Sequence, residues 1–483
     1  MIDHARAEWW RPDVAVDRGD RGEAPTAADS QISDSAIPFG AMMTFTFILL
    51  LAPQLYFPSL EPFHIALLTG GFAIAAHLFD TFIHRRPIPL SPEIRIAACL
   101  VAWAIVTVPL SYSPGGSVSL LLGVYLKSLA IFWLLSDIVT TLSRLHLVAW
   151  ALTLMTVPLA ATALDNFNAG TFIRNLDGSL PPGADPRIIG YNAPLTGNPN
   201  GLAEVLNLIL PLSLALFSIA RRTWVRAVLL AVIALDVIAV VVTFSRSGFL
   251  ALATIFAMYL WKLRKRPEGG WAVVALVIAL VCITPLFPSN YWDRVSTITN
   301  KDSDPTSSAQ HRWRDMVAAA NFVVKNPIVG AGVGMNSLAL YEERGPYRDY
   351  YNQKWMEVHN VYLVYAVELG IPGLVLFLML FAGCMKSTMS VQARSAGVPA
   401  LRELFYLAEG IQISLIAYAV TALFDPSAYS FYFYYFAGLA VAVRAAYEAE
   451  SSKPAMIRIS PPSLFGNSYE HQGNDIGERR HRR

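Results

Sequence analysis

Apolar runs of about 20 residues recur along nearly the whole of this 483-residue chain, and a run of that length crosses a hydrocarbon core as one helix. They are read at 39–58, 63–84, 94–112, 118–139, 146–165, 201–220, 224–244, 248–263, 271–287, 360–384, 404–424 and 430–447. The composition agrees. The chain is 54% hydrophobic and 15% charged with a mean hydropathy of +0.44, less charge than a soluble globular chain carries. The expectation is an all-α polytopic membrane protein of about twelve spans.

Basic residues give the orientation, because short cytoplasmic loops collect Lys and Arg. Arg85, Arg86 and Arg95 follow the second run, Arg144 the fourth, and Arg221, Arg222 and Arg226 the sixth. Lys262, Arg264, Lys265 and Arg266 follow the eighth, and Lys386, Arg394 and Arg402 the tenth. The opposite short loops at 59–62, 113–117 and 425–429 hold neither Lys nor Arg. This alternation predicts an even number of spans, both termini in the cytoplasm, and outward loops at 166–200 and 288–358. The larger loop then lies between spans 9 and 10.

The domain plan is a cytoplasmic tail over 1–37, a transmembrane domain over 38–450 and a second cytoplasmic tail over 451–483. Both tails are polar and have the composition of disordered segments. The first has no signal-peptide pattern, so the first run is expected to be an uncleaved anchor. The net charge is +2 and the basic residues are taken up by topology, so no nucleic-acid partner is expected. Cys99, Cys282 and Cys384 all fall in apolar runs and no CxxC spacing exists. Neither a disulfide framework nor a thiolate metal site is indicated.

Outside the runs, 168–201 is rich in Gly, Pro, Asn and Asp and is expected to be irregular. In the larger loop the pattern predicts an amphipathic helix over 309–325, with Trp313, Val317, Ala320 and Val324 on one stripe. Asn326-Pro327 stops it, and Gly330, Gly332 and Gly334 make a flexible turn. The stretch 341–355 is dense in Tyr, Arg and Glu. A compact loop domain on the membrane surface fits this pattern.

Ionisable groups in or at the edge of a membrane are costly and are candidates for function. His359 stands at the start of the tenth run. A helix N-terminus disfavours imidazolium, and a neutral ring can take a proton from an attacking hydroxyl. The plainer alternative is a histidine bonded to a neighbouring carbonyl. Arg246, in VVTFSRSGFLA, lies where the seventh run turns into the eighth, on the side where positive-inside logic does not call for an arginine. A guanidinium there suits phosphate oxygens through bidentate bonds, or snorkels to water. Arg312 and Arg314 flank Trp313 and either clamp an anion or form the wet face of their helix.

Lys127 falls in the middle of its run and Glu204 early in another, and each needs a partner or a wet cavity; they could pair with each other. Glu409 is similar. Glu368 lies nine residues beyond His359, roughly 13–14 Å along a continuous helix and too far to touch it. Asn198, Asn200 and Gly201 suit a cap and a tight turn. The GAGVG turn follows a helix instead of a strand and lacks a Lys-Ser/Thr pair, so it is not a nucleotide loop. No HExxH or carboxylate-rich pattern and no outward DxD-like pair appears, so no metal and no cofactor is expected.

The order TGNPNGLAEVLNLILPL, VVTFSRSGFLALA, QHRWRDMVAAANFVVKNPIVGAGVG and HNVYLVYAVELGIPGL resembles the O-antigen ligase/polymerase family of bacterial membrane proteins over roughly 190–385. That family's core pattern is an arginine, then a P-x-x-G-x-G turn, then a His-Asn pair leading into a helix with E-x-G. Arg312, Pro327, Gly330, Gly332, His359, Asn360, Glu368 and Gly370 match it in turn, and Arg246 matches an S-R-x-G element. Met316 stands where the family has an aromatic residue, and Trp313 sits earlier.

The resemblance implies a GT-C-like, metal-independent transferase of the inner membrane. It would take a glycan from an undecaprenyl-diphosphate carrier to an acceptor hydroxyl on the periplasmic side. His359 would be the general base. Arg246, Arg312 and Arg314 would hold the diphosphate, with Asn200, Asn360, Glu368 and Lys127 in support. Tyr341, Tyr347, Tyr350, Tyr351 and Trp355 could stack on sugar faces. A polymerase of exopolysaccharide or O-antigen repeat units is the first reading, with a flippase and a chain-length regulator as accompanying proteins. Ligation onto lipid A core, or onto protein, is the second. An anion transporter with Lys127 and Glu204 along its pathway is the alternative of another class, and a non-catalytic assembly subunit is a further one.

Overall fold

The computed structural model describes residues 36–84, 90–173, 187–264, 308–344 and 357–453. The predicted span at 271–287, Cys282, most of both tails, and Tyr347, Tyr350, Tyr351 and Trp355 lie outside these residues. The described elements are helical apart from one isolated bridge between Phe172 and Ile188. In chain order they are α1 (Ala36–Leu51), α2 (Ile65–Ile83), α3 (Pro92–Thr107), α4 (Pro114–Leu120), a π-turn (Leu121–Tyr125), α5 (Leu126–Ile138), α6 (Leu142–Asn168), α7 (Pro199–Ile219), α8 (Thr223–Val242) and α9 (Arg246–Arg264). There follow α10 (Ser308–Lys325), α11 (Asn336–Arg344), α12 (Val361–Ser395), α13 (Arg402–Thr421) and α14 (Phe431–Ser452).

Among the described residues 8 helical segments are long and apolar enough to cross a membrane, each at a position where the sequence predicts a span. They are α2, α3 extended to Leu110, Pro114–Ile138, α6, α7, α8, α12 and Pro399–Thr421. Helices α1, α9 and α14 stand at three further predicted positions. However, α1 has 16 residues, α9 ends on Lys262 and Arg264, and α14 carries Arg444, Glu448 and Glu450. Side-chain caps start several helices: Ser91 accepts from Ile94 N at 3.2 Å, Thr141 from Arg144 N at 3.3 Å and Asn198 from Gly201 N at 2.8 Å. Proline at the first helical position follows Ser91 and Asn198, where its missing N–H costs nothing.

Helix α7 is the axis of the bundle. It packs against α6, α8, α9 and α13, and 83% of its most apolar window is buried. Helix α14 lies on α5, α12 and α13, and α12 also packs on α3. Helix α2 is the opposite case: it leans chiefly on α1, and only 11% of its window is buried. Several charges inside the bundle are paired, as low dielectric favours. Arg444 meets Glu93 at 2.8 Å, with Ser387 donating to the same carboxylate at 2.7 Å. His77 lies 2.7 Å from Asp137. Lys262 lies 3.5 Å from Glu409 and donates to Gln392 and Gln412. Glu204 and Lys127 do not pair: Glu204 accepts from the Thr421 hydroxyl at 3.2 Å.

Hydrogen bonds gather one set of helix ends. The Glu204–Thr421 contact ties the first turns of α7 to the end of α13. Val361 N donates to Ala422 O at 2.8 Å, bringing in the start of α12. The Tyr432 hydroxyl donates to Leu195 O and the Ser245 hydroxyl to Asn200 Oδ1, bringing in the starts of α14 and α9. His359 and Arg246 therefore stand at the same end of the bundle, with the short loop 111–113 tied to it through Tyr112 N and Ala331 O at 2.9 Å.

Candidate functional site

The His-Asn pair opens α12 by simple capping. The Asn360 side chain accepts from Leu363 N at 3.0 Å and donates to Leu423 O at 3.3 Å. Ten residues on, the helix breaks. Gly370 has φ 68 and ψ −175, a region that in practice only glycine occupies, and Pro372 brings no N–H. The break frees the carbonyls of Val367 and Glu368 and the amide of Ile371. Buried backbone groups must find partners, and the turn after α10 supplies them. Ala331 N donates to Val367 O at 2.8 Å, Gly332 N to Glu368 O at 2.9 Å, and Ile371 N to Pro327 O at 2.7 Å. The Trp103 indole donates to Leu369 O at 2.8 Å alongside.

The P-x-x-G-x-G turn is thus a fitted plug in a broken helix, which corrects the flexible turn expected from its glycines. Gly330, Gly332 and Gly334 take φ 73, 95 and 79, so their conformational freedom is spent on one fixed path. Glu368 holds that path from the side. Its carboxylate accepts from Gly334 N at 2.6 Å, from Asn336 N at 3.1 Å and from Asn336 Nδ2 at 2.6 Å. The Asn336 Oδ1 accepts in turn from Val358 N at 3.1 Å. Glu368 therefore fixes, through Asn336, the residue next to His359. Burial, and then the nearby Glu368 carboxylate, push the Tyr429 phenol well above its ordinary value.

His359 is half-buried, and its Nδ1 lies 2.8 Å from Glu357 O. This is the bond to a neighbouring carbonyl that the plainer alternative foresees, and it has a chemical consequence. A carbonyl only accepts, so Nδ1 carries the hydrogen, and in the neutral ring Nε2 is left as the proton-accepting nitrogen.

Arg246 is placed by a second cluster. Phe244 sits at φ 52, a left-handed turn that is costly for a bulky residue, and the chain re-enters helix at Arg246. The Ser245 hydroxyl accepts from Gly248 N at 3.2 Å and donates to Asn200 Oδ1 at 2.9 Å. Arg187 donates to the same oxygen at 2.6 Å. Within Asn198-Pro199-Asn200-Gly201, Asn198 is the cap and Asn200 the acceptor that joins α7, the α8–α9 turn and Arg187. Replacing Asn200 by Ala leaves two donors without their acceptor, at a cost of about 1–3 kcal/mol. Thermal unfolding in detergent should show a lower midpoint for N200A, and Asn200→Asp, which keeps an acceptor, should recover most of it.

Helix α10 forms where predicted, with its apolar stripe outward. Asp315, Ala318, Ala319 and Phe322 face the protein, while Trp313, Val317, Ala320 and Val324 are exposed. Small alanines let α10 lie close to α11 and α12, and an apolar stripe at a membrane boundary has no need of protein cover. Arg312 is half-buried; Arg314 is exposed and lines a shallow hollow of about 380 Å³ with Trp313 and Glu343. Tyr112 packs edge-on against Phe322, and burial together with its bond to Glu342 pushes its phenol up to about 12. Tyr341, the described member of the aromatic set, is 52% exposed on α11.

The structure unites Asn200 with the residue beside Arg246, and Glu368 with the segment carrying His359. Lys127 lies elsewhere, on the α5 wall of a separate cleft. Asn336, Arg187 and Trp103 are the residues that sequence reading missed. Asn336 carried a faint signal, as an amide just past a glycine turn; Trp103 carried none, since it sits in an apolar run. Among the described residues no three His, Cys, Asp or Glu side chains gather as metal ligands.

Three comparisons bear on this arrangement. Residues 229–378 match the family model Wzy_C, described as O-antigen ligase. No curated protein matches the chain. A solved chain from a study titled "Structural coordination of polymerization and crosslinking by a peptidoglycan synthase complex" aligns at 16% identity, covering 74% of this chain and 98% of that one, with a TM-score of 0.41. That likeness is too loose to bear on fold or chemistry.

Proposed function

We propose, from the match of residues 229–378 to the O-antigen ligase family model, that the chain is an inner-membrane polymerase of polysaccharide repeat units with a GT-C-like fold. It takes a glycan from an undecaprenyl-diphosphate carrier and passes it to an acceptor hydroxyl on the periplasmic side, using no metal. The observation that carries this reading is the Nδ1 bond of His359 to Glu357 O, at the bundle end that also holds Arg246. The acceptor oxygen attacks the anomeric carbon, its proton passes to His359 Nε2, and the bond from that carbon to the diphosphate breaks. Arg246 and Arg312, with Arg314 beyond them, take the charge that grows on the leaving diphosphate, where fixed donors act most strongly. Asn200 and Ser245 position Arg246; Glu368 and Asn336 position His359.

The test is reconstitution in nanodiscs with polyprenyl-diphosphate-linked repeat units. The expected products are a ladder of longer glycans and one released polyprenyl diphosphate per bond. Arg246→Ala should slow the reaction by about 10²–10³-fold, as loss of an oxyanion donor does. Arg246→Lys should recover only part, because an ammonium lacks the bidentate fork. Transfer to lipid A core alone, without a ladder, would replace the polymerase by a ligase. Anion uptake with no transfer to any acceptor would sink both.

A further inference from the structure

A cleft of about 930 Å³ opens sideways between α2 and α5, away from the site described above. Its walls are apolar, from Phe45 and Ile74 on one side to Leu122 and Ile131 on the other. Its existence follows from the packing: α2 leans on α1 and touches α5 sparsely, which leaves a slot facing the bilayer. From Leu122 to Leu134 the slot runs ~18 Å along its wall at the helical rise per residue. Gln54, Glu61, His64 and Lys127 are among the polar side chains of its lining.

Lys127 is the unusual member. It is exposed on the cleft wall and among the described residues has no ion pair and no hydrogen bond, whereas Arg444 and Lys262 meet Glu93 and Glu409. A lysine in a bilayer-facing apolar slot calls for an anion that arrives with a hydrocarbon chain. The helix makes a π-turn at Leu121–Tyr125, just before Lys127, and such turns recur at functional sites. Gln54 adds a second signal, since its buried Oε1 has no hydrogen-bond partner. Gly71 and Gly123, on opposite walls, have open space where a Cβ would stand, so the slot has hollows suited to a methyl-branched chain. Pro194 and Leu195 form part of the lining and run on to Asn200, so the cleft leads towards the Arg246 cluster.

We propose that this cleft binds the carrier of the acceptor: a polyprenyl diphosphate whose chain lies between α2 and α5 and whose diphosphate meets Lys127. The inference rests on the polymerase reading, because joining two carrier-linked units requires two carrier sites and a ligase requires one. The donor's diphosphate leaves and needs the arginines. The acceptor's diphosphate stays intact and needs only to be held, for which a single ammonium suffices.

The experiment is photocrosslinking of the full chain in nanodiscs with a repeat unit on a diazirine-bearing polyprenyl diphosphate. Label should fall on 65–74 and 122–134. Gly71→Leu with Gly123→Leu fills the hollows and should cut that label at least tenfold. Lys127→Met should cut it several-fold and raise KM for the acceptor more than KM for the donor, while Lys127→Arg should restore both. Unchanged labelling in the glycine pair and in Lys127→Met would overturn the proposal, as would full competition by phosphatidylglycerol, which would make the cleft a site for bulk anionic lipid. Label confined to the surroundings of Arg246 with a ladder still formed would remove the cleft site and leave the transferase standing. Cleft label with no transfer to any acceptor would instead remove the transferase reading and, with it, the acceptor assignment.

Discussion

Replacing His359 with alanine is expected to abolish polymer formation while leaving the protein folded and inserted. The ring is half-buried in an irregular segment before α12 and bonds to Glu357 O within that segment. It lies outside the buried helix contacts of the bundle, so the melting midpoint in detergent should move little. The rate should fall by about 10²–10⁴-fold, the usual contribution of a positioned general base. Glu368→Gln makes a useful companion. It keeps the side chain's shape but sets an NH₂ group against the Gly334 and Asn336 donors, so it should lower the rate by shifting the segment that carries His359. Added imidazole should restore part of the activity of His359→Ala and none of that of Glu368→Gln. A wild-type ladder from His359→Ala would sink the assignment of this residue as the base.

Gly370→Ala is expected to be the most damaging small substitution outside the chemistry. The alanine would have to hold φ 68 and ψ −175, and its Cβ would overlap the Ile328 carbonyl and press on Pro327 O. Backbone strain of about 1–3 kcal/mol adds to overpacking of about 1–3 kcal/mol. Relief requires the turn to leave α12, which strands the Val367 and Glu368 carbonyls. A fall of several degrees in the melting midpoint is expected, together with faster proteolysis near 326–336 and loss of transfer. An unchanged midpoint would mean that the glycine turn is not what closes the broken helix. Gly71→Ala serves as the control, since nothing lies within 4 Å of its added Cβ and the shift should be small.

Much of the architecture could be read directly. The apolar runs at 201–220, 224–244 and 404–424 reappear within a few residues as α7, α8 and α13, because a run of that length has one cheap conformation in hydrocarbon. The amphipathic helix at 309–325 appears as Ser308–Lys325 and stops at Asn326-Pro327 as its composition dictates. Which face it turns inward could not be read. Periodicity shows that a stripe exists, and a membrane protein has two apolar surroundings to offer it.

Sequence by itself determined the helical membrane architecture, the alternation of basic loops and the order of the Arg, P-x-x-G-x-G and His-Asn elements, since each of these is a local property of a short segment. Tertiary structure alone decided that the glycine turn plugs a gap in α12, that Glu368 reaches His359's segment through Asn336, that Glu409 meets Lys262, and that Lys127 is left facing a lipid-sized cleft. The physical reason is that a buried donor, acceptor or charge must be matched, and its match is chosen by which helices lie side by side. That choice depends on contacts between residues far apart in the chain, which no single segment encodes.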